Sequence, residues 1–269
     1  MRRFHLFEFC DLRSPAILRR MSPEYLEAMW RKTRLIEAVA PQMAAILQQT
    51  GSCQLVDLCA GASGPLPGIL NCLARDGISA DAIMTDKFPN LDAFERARRR
   101  SNGHLTYVRE PVDATRIPPE IKGMRTLFCG LHHFAPPSAR AIFQDAVRQR
   151  APIAIFEITE RTWRSILGIC LIPFLVLLLT PFIRPFRWSR LVLTYLVPIA
   201  PLLILWDAVV SCLRSYQPDE LHRLVEALEG PSYSWEAGRL SSHAPAITYF
   251  VGYPSADPLQ GTSTGTARG

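Results

Sequence analysis

The sequence predicts an α/β fold: a mostly parallel, seven-stranded sheet with helices on both faces, carrying an inserted hydrophobic helical hairpin and an N-terminal helical extension. Three observations predict it. Between Gln54 and Thr159, five short apolar runs alternate with helix-like stretches of about 10–15 residues, as parallel strands joined by crossover helices do. Two more strand-like runs, 232–239 and 246–252, close the chain as a terminal pair. Between these blocks lies a nearly uncharged region, 166–210, that fits neither pattern.

Residues 1–50 read as the helical extension. Ser22-Pro23-Glu24 has the form of a helix start, with Ser as N-cap, Pro at the first helical position and an acid in the first turn. A second apolar run, Leu35 to Leu47, is broken by Pro41. The first strand is Gln54–Leu58, followed by a helix Pro65–Arg75 that ends near Gly77. Ala82–Asp86 is the second strand, and Asn90–Arg100 a charged helix capped by Asn90. Leu105–Val112 and Arg125–Gly130 are the third and fourth strands, Pro137–Arg150 a helix, and Ile153–Thr159 the fifth strand. After the apolar region, Gln217–Glu229 is a short amphipathic helix. Residues 51–160 and 215–253 therefore form one domain, 161–214 an insertion, and 254–269 a tail of small and polar residues expected to be disordered.

With 269 residues, 48% of them hydrophobic, the chain has ample material for one core. Its formal charge of +6 is carried almost wholly by arginine. Such a balance suits an anionic membrane surface or nucleic acid and does not choose between them. The seven cysteines include no CxxC pair and no Cys/His cluster, which argues against a disulfide framework or zinc and for a reducing compartment. The N-terminus reaches Glu8 and Asp11 without a continuous apolar run, unlike a signal peptide.

The segment Gln54-Leu-Val-Asp57-Leu-Cys59-Ala60-Gly61-Ala-Ser63-Gly64-Pro65 is a strand, a small-residue loop and a helix start. Small residues let a backbone approach a ligand closely, and the helix N-terminus offers free N–H groups. Small-residue turns also arise for packing, so the loop alone is a weak signal. Asp86 at the second strand end can accept two hydrogen bonds from vicinal ribose hydroxyls, and Asp113 at the third can accept from an adenine amino group. Each aspartate alone reads as a cap or turn residue; the ordered set at three strand ends does not.

Together these residues resemble the class I, Rossmann-like, S-adenosylmethionine-dependent methyltransferases, over roughly 54–160 and more weakly over 217–252. The family's first motif is an acid followed by glycines at alternate positions. Here it reads Asp57-x-Cys59-x-Gly61-x-Ser63, then Gly64, so Cys59 and Ser63 replace two glycines. The resemblance implies S-adenosyl-L-methionine as cofactor. It implies a binding set of Asp57, Cys59, Ala60, Gly61, Ser63 and Gly64 in the first loop, Asp86 with Lys87 at the ribose, and Asp113 with Ala114 at the adenine. Gly130 and Leu131, in the loop after the fourth strand, would line the junction of cofactor and substrate. Dinucleotide-linked dehydrogenases share the strand–loop–helix start, but their Gly-x-Gly-x-x-Gly is absent, and Asp113 and the His-rich fourth loop favour the methyltransferases.

Methyl transfer from a sulfonium is an in-line displacement, and a neutral oxygen or nitrogen acceptor must also lose a proton. Histidine titrates near neutrality. His133 is therefore the first candidate for general base and His132 the second, against the alternative that either caps a helix or bonds within the fold. Glu110 is a further polar candidate that also reads as surface. The segment Phe4–Phe9, with Tyr25 and Trp30, reads as a cover for one sheet face in preference to a lid. No set of metal ligands is legible.

Ile166–Ile183 and Leu191–Val210 are each close to the roughly 20 residues that cross a bilayer. Arg184, Arg187 and Arg190 lie between them, against the positive-inside tendency for a crossing hairpin, and Pro173, Pro181, Pro198 and Pro201 disrupt straight helices. The expectation is a hairpin set into one leaflet, its arginines and Trp188 at headgroup level; a spanning hairpin and a pair of buried core helices are the alternatives. The reading that results is a membrane-associated methyltransferase of a small lipophilic acceptor, its catalytic domain cytoplasmic, with no nucleic acid partner. A catalytically inactive cofactor-binding or membrane scaffold protein is the alternative.

Overall fold

The computed structural model describes residues 2–9, 15–19, 21–240 and 246–255; the expected disordered tail lies almost wholly outside them, as does Asp11. The strands are β1 (Gln54–Asp57), β2 (Asp81–Met84), β3 (Leu105–Tyr107), β4 (Met124–Phe128), β5 (Ile153–Glu157), β6 (Tyr233–Leu240) and β7 (Ile247–Pro254). The helices are α1 (Ala16–Arg19), α2 (Met21–Lys32), α3 (Leu35–Thr50), α4 (Leu66–Arg75), α5 (Leu91–Arg99), α6 (Pro136–Arg148), α7 (Trp163–Ile169), α8 (Ile172–Leu179), α9 (Trp188–Leu191), α10 (Ile199–Arg214) and α11 (Pro218–Val225).

The strands form one sheet in the order β3-β2-β1-β4-β5-β7-β6. The first five are parallel, and β7 runs antiparallel between β5 and β6. The expected seven-stranded, mostly parallel sheet is thus the observed one. Order reverses at β1, whose successors β2 and β3 lie on one side while β4 and β5 lie on the other. Asp57 pairs with Met84 on β2 and Thr126 on β4, so the carboxyl ends of the central strands lie level. A crevice opens at such a reversal, where successive crossovers leave towards opposite faces.

Alternation along β1 assigns the two faces. Leu55 packs with Trp30, Val39, Met43, Ile69, Leu73 and Phe94, so α2 to α5 cover that side. Val56 packs with Ile142, Phe143, Leu221 and Val225, so α6 and α11 cover the other. Gly68 is where α4 meets α3, because a Cβ there would run into the Ile36 side chain.

Four expected boundaries are corrected. Helix α3 runs unbroken through Pro41. A proline inside a helix costs about 3 kcal/mol, and the burial of Val39, Met43, Ile46 and Leu47, each contributing about 1.5–3 kcal/mol, offsets it. Helix α2 begins at Met21, and the Ser22 hydroxyl donates to Asp207 Oδ2 at 2.5 Å instead of capping its own helix. Strand β3 ends at Tyr107, because beyond Val108 the chain leaves β2 and returns only when Val112 N donates to the Asp86 carbonyl. Asp113 consequently lies in a loop well past the strand. Pro254, placed in the tail by composition, ends β7.

The insertion is divided in its packing. Trp163–Phe182 is long and apolar enough to cross a membrane, with little of it buried. Trp163, Leu167, Leu171, Phe174 and Leu178 form an exposed stripe along it. The second segment is bent by 85° between Leu196 and Ile199. Past the bend, α10 buries Ala200, Leu203 and Ile204 against Met21, Tyr25 and Val176. The Tyr25 hydroxyl bonds those of Thr180 and Thr194. Of the loop arginines, Arg190 is buried, ion-paired to Glu24 and donating to the carbonyls of Ile183 (3.1 Å) and Pro185 (3.2 Å). Arg187 Nε lies 3.5 Å from Glu24. Arg184 is exposed, Arg187 half-buried and Arg190 buried, so the expectation that all three reach a headgroup layer is corrected at Arg190.

Candidate cofactor and acceptor site

The loop after β1 owes its shape to left-handed backbone. Cys59, Gly61, Ser63 and Gly64 have φ of 59°, 54°, 85° and 49°. Cys59 and Ser63 thus adopt the conformation of glycines, at a cost of about 1–2 kcal/mol each. Such strain concentrates at functional loops. From Cys59 to Ser63 positive φ alternates with negative, and the turn is tight enough for Ser63 N to donate to the Ala60 carbonyl at 2.7 Å. Ala60 N donates to the Thr85 carbonyl at 3.0 Å and Gly61 N to Asp86 Oδ2 at 2.8 Å, tying the loop to the end of β2.

The three aspartates gather around this loop by different means. Asp57, the last residue of β1, is buried and accepts from the Thr126 hydroxyl at 2.9 Å. Burial pushes its carboxyl up to about 8; the Thr126 bond opposes the shift and the Asp86 charge adds to it. Asp86, just past β2, also accepts from Phe88 N at 2.8 Å. Asp113 accepts from Thr115 N (2.9 Å) and its hydroxyl (2.7 Å) and pairs with Lys87 at 2.9 Å. The Thr115 and Lys87 bonds hold the Asp113 carboxyl down at about 2. Burial, followed by the charges of Asp86, Asp57 and Asp113, raises the Cys59 thiol well above its ordinary range. Ala114 is buried beside Asp113.

The second half of the site follows β4. Cys129 has a φ of 53°, and a Cβ added to Gly130 would touch Cys59 Cβ at 3.6 Å, so the two loops meet. Leu131–His133 is a single 3-10 turn. Glu157, the last residue of β5, accepts from Leu131 N (2.9 Å), His132 N (3.3 Å) and His132 Nδ1 (2.9 Å). A carboxylate only accepts, so Nδ1 carries the hydrogen and His132 Nε2 faces away from Glu157. Burial lowers the His132 pKa, but Glu157 and then Glu8 outweigh it, and the imidazole ends above its ordinary value.

Nε2 faces an N-terminal strap, residues 2–9. Glu8 Oε1 lies 3.7 Å from His132 Nε2, and Glu8 Oε2 lies 3.6 Å from His133 Nδ1. The two rings are 4.3 Å apart. Arg214, the last residue of α10, donates to the carbonyls of His132 (3.1 Å) and His133 (2.8 Å), with Nη1 3.5 Å from Glu8. Arg3 donates to the carbonyls of Arg214 (2.6 Å) and Phe134 (2.9 Å) and stacks on Tyr216 at 4.1 Å. Asp207 of α10 accepts from Phe9 N at 2.9 Å.

The strap therefore follows α10 and the histidine turn. Of the expected cover, Trp30 packs on the sheet, edge-on to Phe128, while Tyr25 packs with α8 and α10. Glu110 is exposed and outside this network. Glu8, Glu157 and Arg214 were not singled out from the sequence. Glu157 at the end of a strand, and Asp207 and Arg214 as the charges of an otherwise apolar segment, were signals that could have found them. Glu8 carries no local signal.

The chain matches no protein-family model and no curated protein. Among solved structures it is similar to the mitomycin 7-O-methyltransferase MmcR, at 14% identity over 82% of this chain and 54% of that one, with a TM-score of 0.49. It is also similar to the plantazolicin methyltransferase BpumL in complex with SAH, at 12% identity over 89% and 98%, with a TM-score of 0.48. The pyocyanin biosynthetic protein PhzM aligns at 12% identity over 81% and 55%, with a TM-score of 0.48. The chain thus spans about half the length of MmcR and PhzM.

Proposed function

We propose that this chain is an S-adenosylmethionine-dependent methyltransferase that methylates a small lipophilic acceptor, on oxygen or nitrogen, at a membrane surface. The observation that carries the proposal is the loop 59–64, whose left-handed backbone is kept at Cys59 and Ser63 despite their side chains. The small-residue loop of Cys59, Ala60, Gly61, Ser63 and Gly64 lies against the methionine end of the cofactor, with the neutral carboxyl of Asp57 beneath. Asp86, whose oxygens keep spare lone pairs after binding Gly61 and Phe88, accepts from the ribose hydroxyls beside Lys87. Asp113 and Ala114 bound the adenine. Gly130 and Leu131 lie under the sulfonium, and His133 and His132 stand at the acceptor end, where they activate the attacking atom.

The exposed stripe from Trp163 to Leu178 supports the membrane half of the proposal, since a contiguous apolar surface of this length is rare on a monomer facing water. The 85° bend and the packing of α10 favour insertion into one leaflet, with the sheet domain on the cytoplasmic side. A lipophilic acceptor follows from that placement, and no nucleic acid partner is proposed. A methyl-label transfer assay with membrane extract tests the activity. Label is expected in the lipid-soluble fraction, and His133→Ala should cut turnover by about 100-fold or more while cofactor affinity stays within about twofold. The departures at Cys59 and Ser63 favour a second reading, a cofactor-binding scaffold without turnover; it predicts cofactor binding with no label transferred.

A further inference from the structure

The histidine turn and the strap bring together two imidazoles and a carboxylate from distant parts of the chain. His132 gives its Nδ1 hydrogen to Glu157, so its Nε2 is the ring atom that faces Glu8, where a metal ion can take the place of a proton. The separations from Glu8 to His132 (3.7 Å) and to His133 (3.6 Å) are too long for hydrogen bonds. They match neighbouring ligands on a shared ion, since bonds of about 2.0–2.2 Å place such ligand atoms about 3–4 Å apart. All three ligand atoms lie within 4.8 Å of one another.

The surroundings fix these ligands. Arg214 holds the backbone carbonyls of both histidines, which sets the two rings towards one point. Glu157 behind His132 makes the carboxylate–histidine pairing that orients metal-bound imidazoles. Glu8 is held in turn, its Oε1 accepting from the Ser211 hydroxyl at 3.2 Å and lying 3.5 Å from Arg214 Nη1.

We infer that Glu8, His132 Nε2 and His133 Nδ1 hold a divalent transition-metal ion. Two histidines and one carboxylate are a ligand set for such ions and leave further positions open. Those positions lie on the side where the His133 side chain is 30% exposed, and they take water or an oxygen of the acceptor. The inference rests on the proposed function only for the word acceptor. It makes the imidazoles ligands, with the ion's charge acidifying a bound hydroxyl.

The test uses the whole protein, stripped with a chelator and titrated with Co²⁺, Zn²⁺ and Mg²⁺ by calorimetry, with Co²⁺ also followed by its visible d–d absorption. One equivalent of Co²⁺ or Zn²⁺ is expected to bind, without competition from Mg²⁺. Glu8→Gln and His133→Ala should each weaken it about tenfold or more, and Glu157→Gln should shift the Co²⁺ spectrum. His104→Ala, at an exposed histidine paired to Asp81 elsewhere, should change nothing. Circular dichroism confirms that each variant folds. Absence of stoichiometric uptake, or uptake undiminished in both Glu8→Gln and His133→Ala, overturns the site. A parallel titration with S-adenosylhomocysteine separates the two proposals: cofactor binding without metal uptake removes the ion alone, and metal uptake without cofactor binding supports the site while removing the methyltransferase.

Discussion

Cys59 and Ser63 stand where left-handed backbone favours glycine, and both take that backbone. Their spacing from Asp57 and Gly61 was legible in the sequence because only small residues fit such a turn. Ser63→Gly should therefore leave stability unchanged or raise it by up to about 1 kcal/mol, whereas Ser63→Val should cost about 2 kcal/mol or more in a urea melt. Equal losses from both would mean that the loop's φ is not strained. Asp57 makes a second prediction. The folded state keeps its proton up to about pH 8, whereas an unfolded Asp loses it near 4. The folded state therefore binds more protons across that window, and Asp57 lowers stability as the pH rises through it. Asp57→Asn should melt close to wild type near pH 4 and several degrees above it at pH 9; parallel Tm curves would contradict the burial of a neutral carboxyl. Glu8 lies at the other extreme of legibility, since its position beside His132 and His133 arises only when the strap folds back along α10.

Among the elements, the five crossover strands were readable because each is a short apolar run closed by turn residues. The end of β3 was overrun, although Arg109-Glu110-Pro111 marks it: proline cannot donate to a ladder, and pairing to β2 stops at Tyr107. Pro41 in α3 was misread for the converse reason: tertiary burial outweighs a local breaker. The insertion was recognisable from its missing charges, but not its division into an exposed α7–α8 arm and a docked α10. That division is testable. Tryptophan emission should shift to the blue on anionic vesicles, through the exposed Trp163 and Trp188, and binding should fall at least about tenfold in a Leu171→Glu/Phe174→Glu/Leu178→Glu variant that still folds. Unchanged vesicle binding in that variant would remove the arm from the membrane account.

At the scale of the molecule, the sheet order places three things at one edge of the central strands. The reversal at β1 opens the crevice, the loops after β1 and β4 meet there through Cys59 and Gly130, and α10 with the strap closes the far side through Arg214 and Glu8. Helix α10 joins the two regions, packing on Val176 of α8 through Leu203 and Ile204 and holding the histidine turn through Arg214. A crossover sheet follows from local pattern, and so its class was readable; the meeting of α10, strap and histidine turn depends on contacts between distant segments and was not. All of this presupposes a nucleoside sulfonium over the loop 59–64. Calorimetric titration of the purified chain with S-adenosylhomocysteine tests that most directly: one equivalent should bind with micromolar affinity, and Asp86→Ala should weaken it about tenfold or more. No binding heat at high micromolar ligand, or equal affinity in Asp86→Ala, would contradict the account.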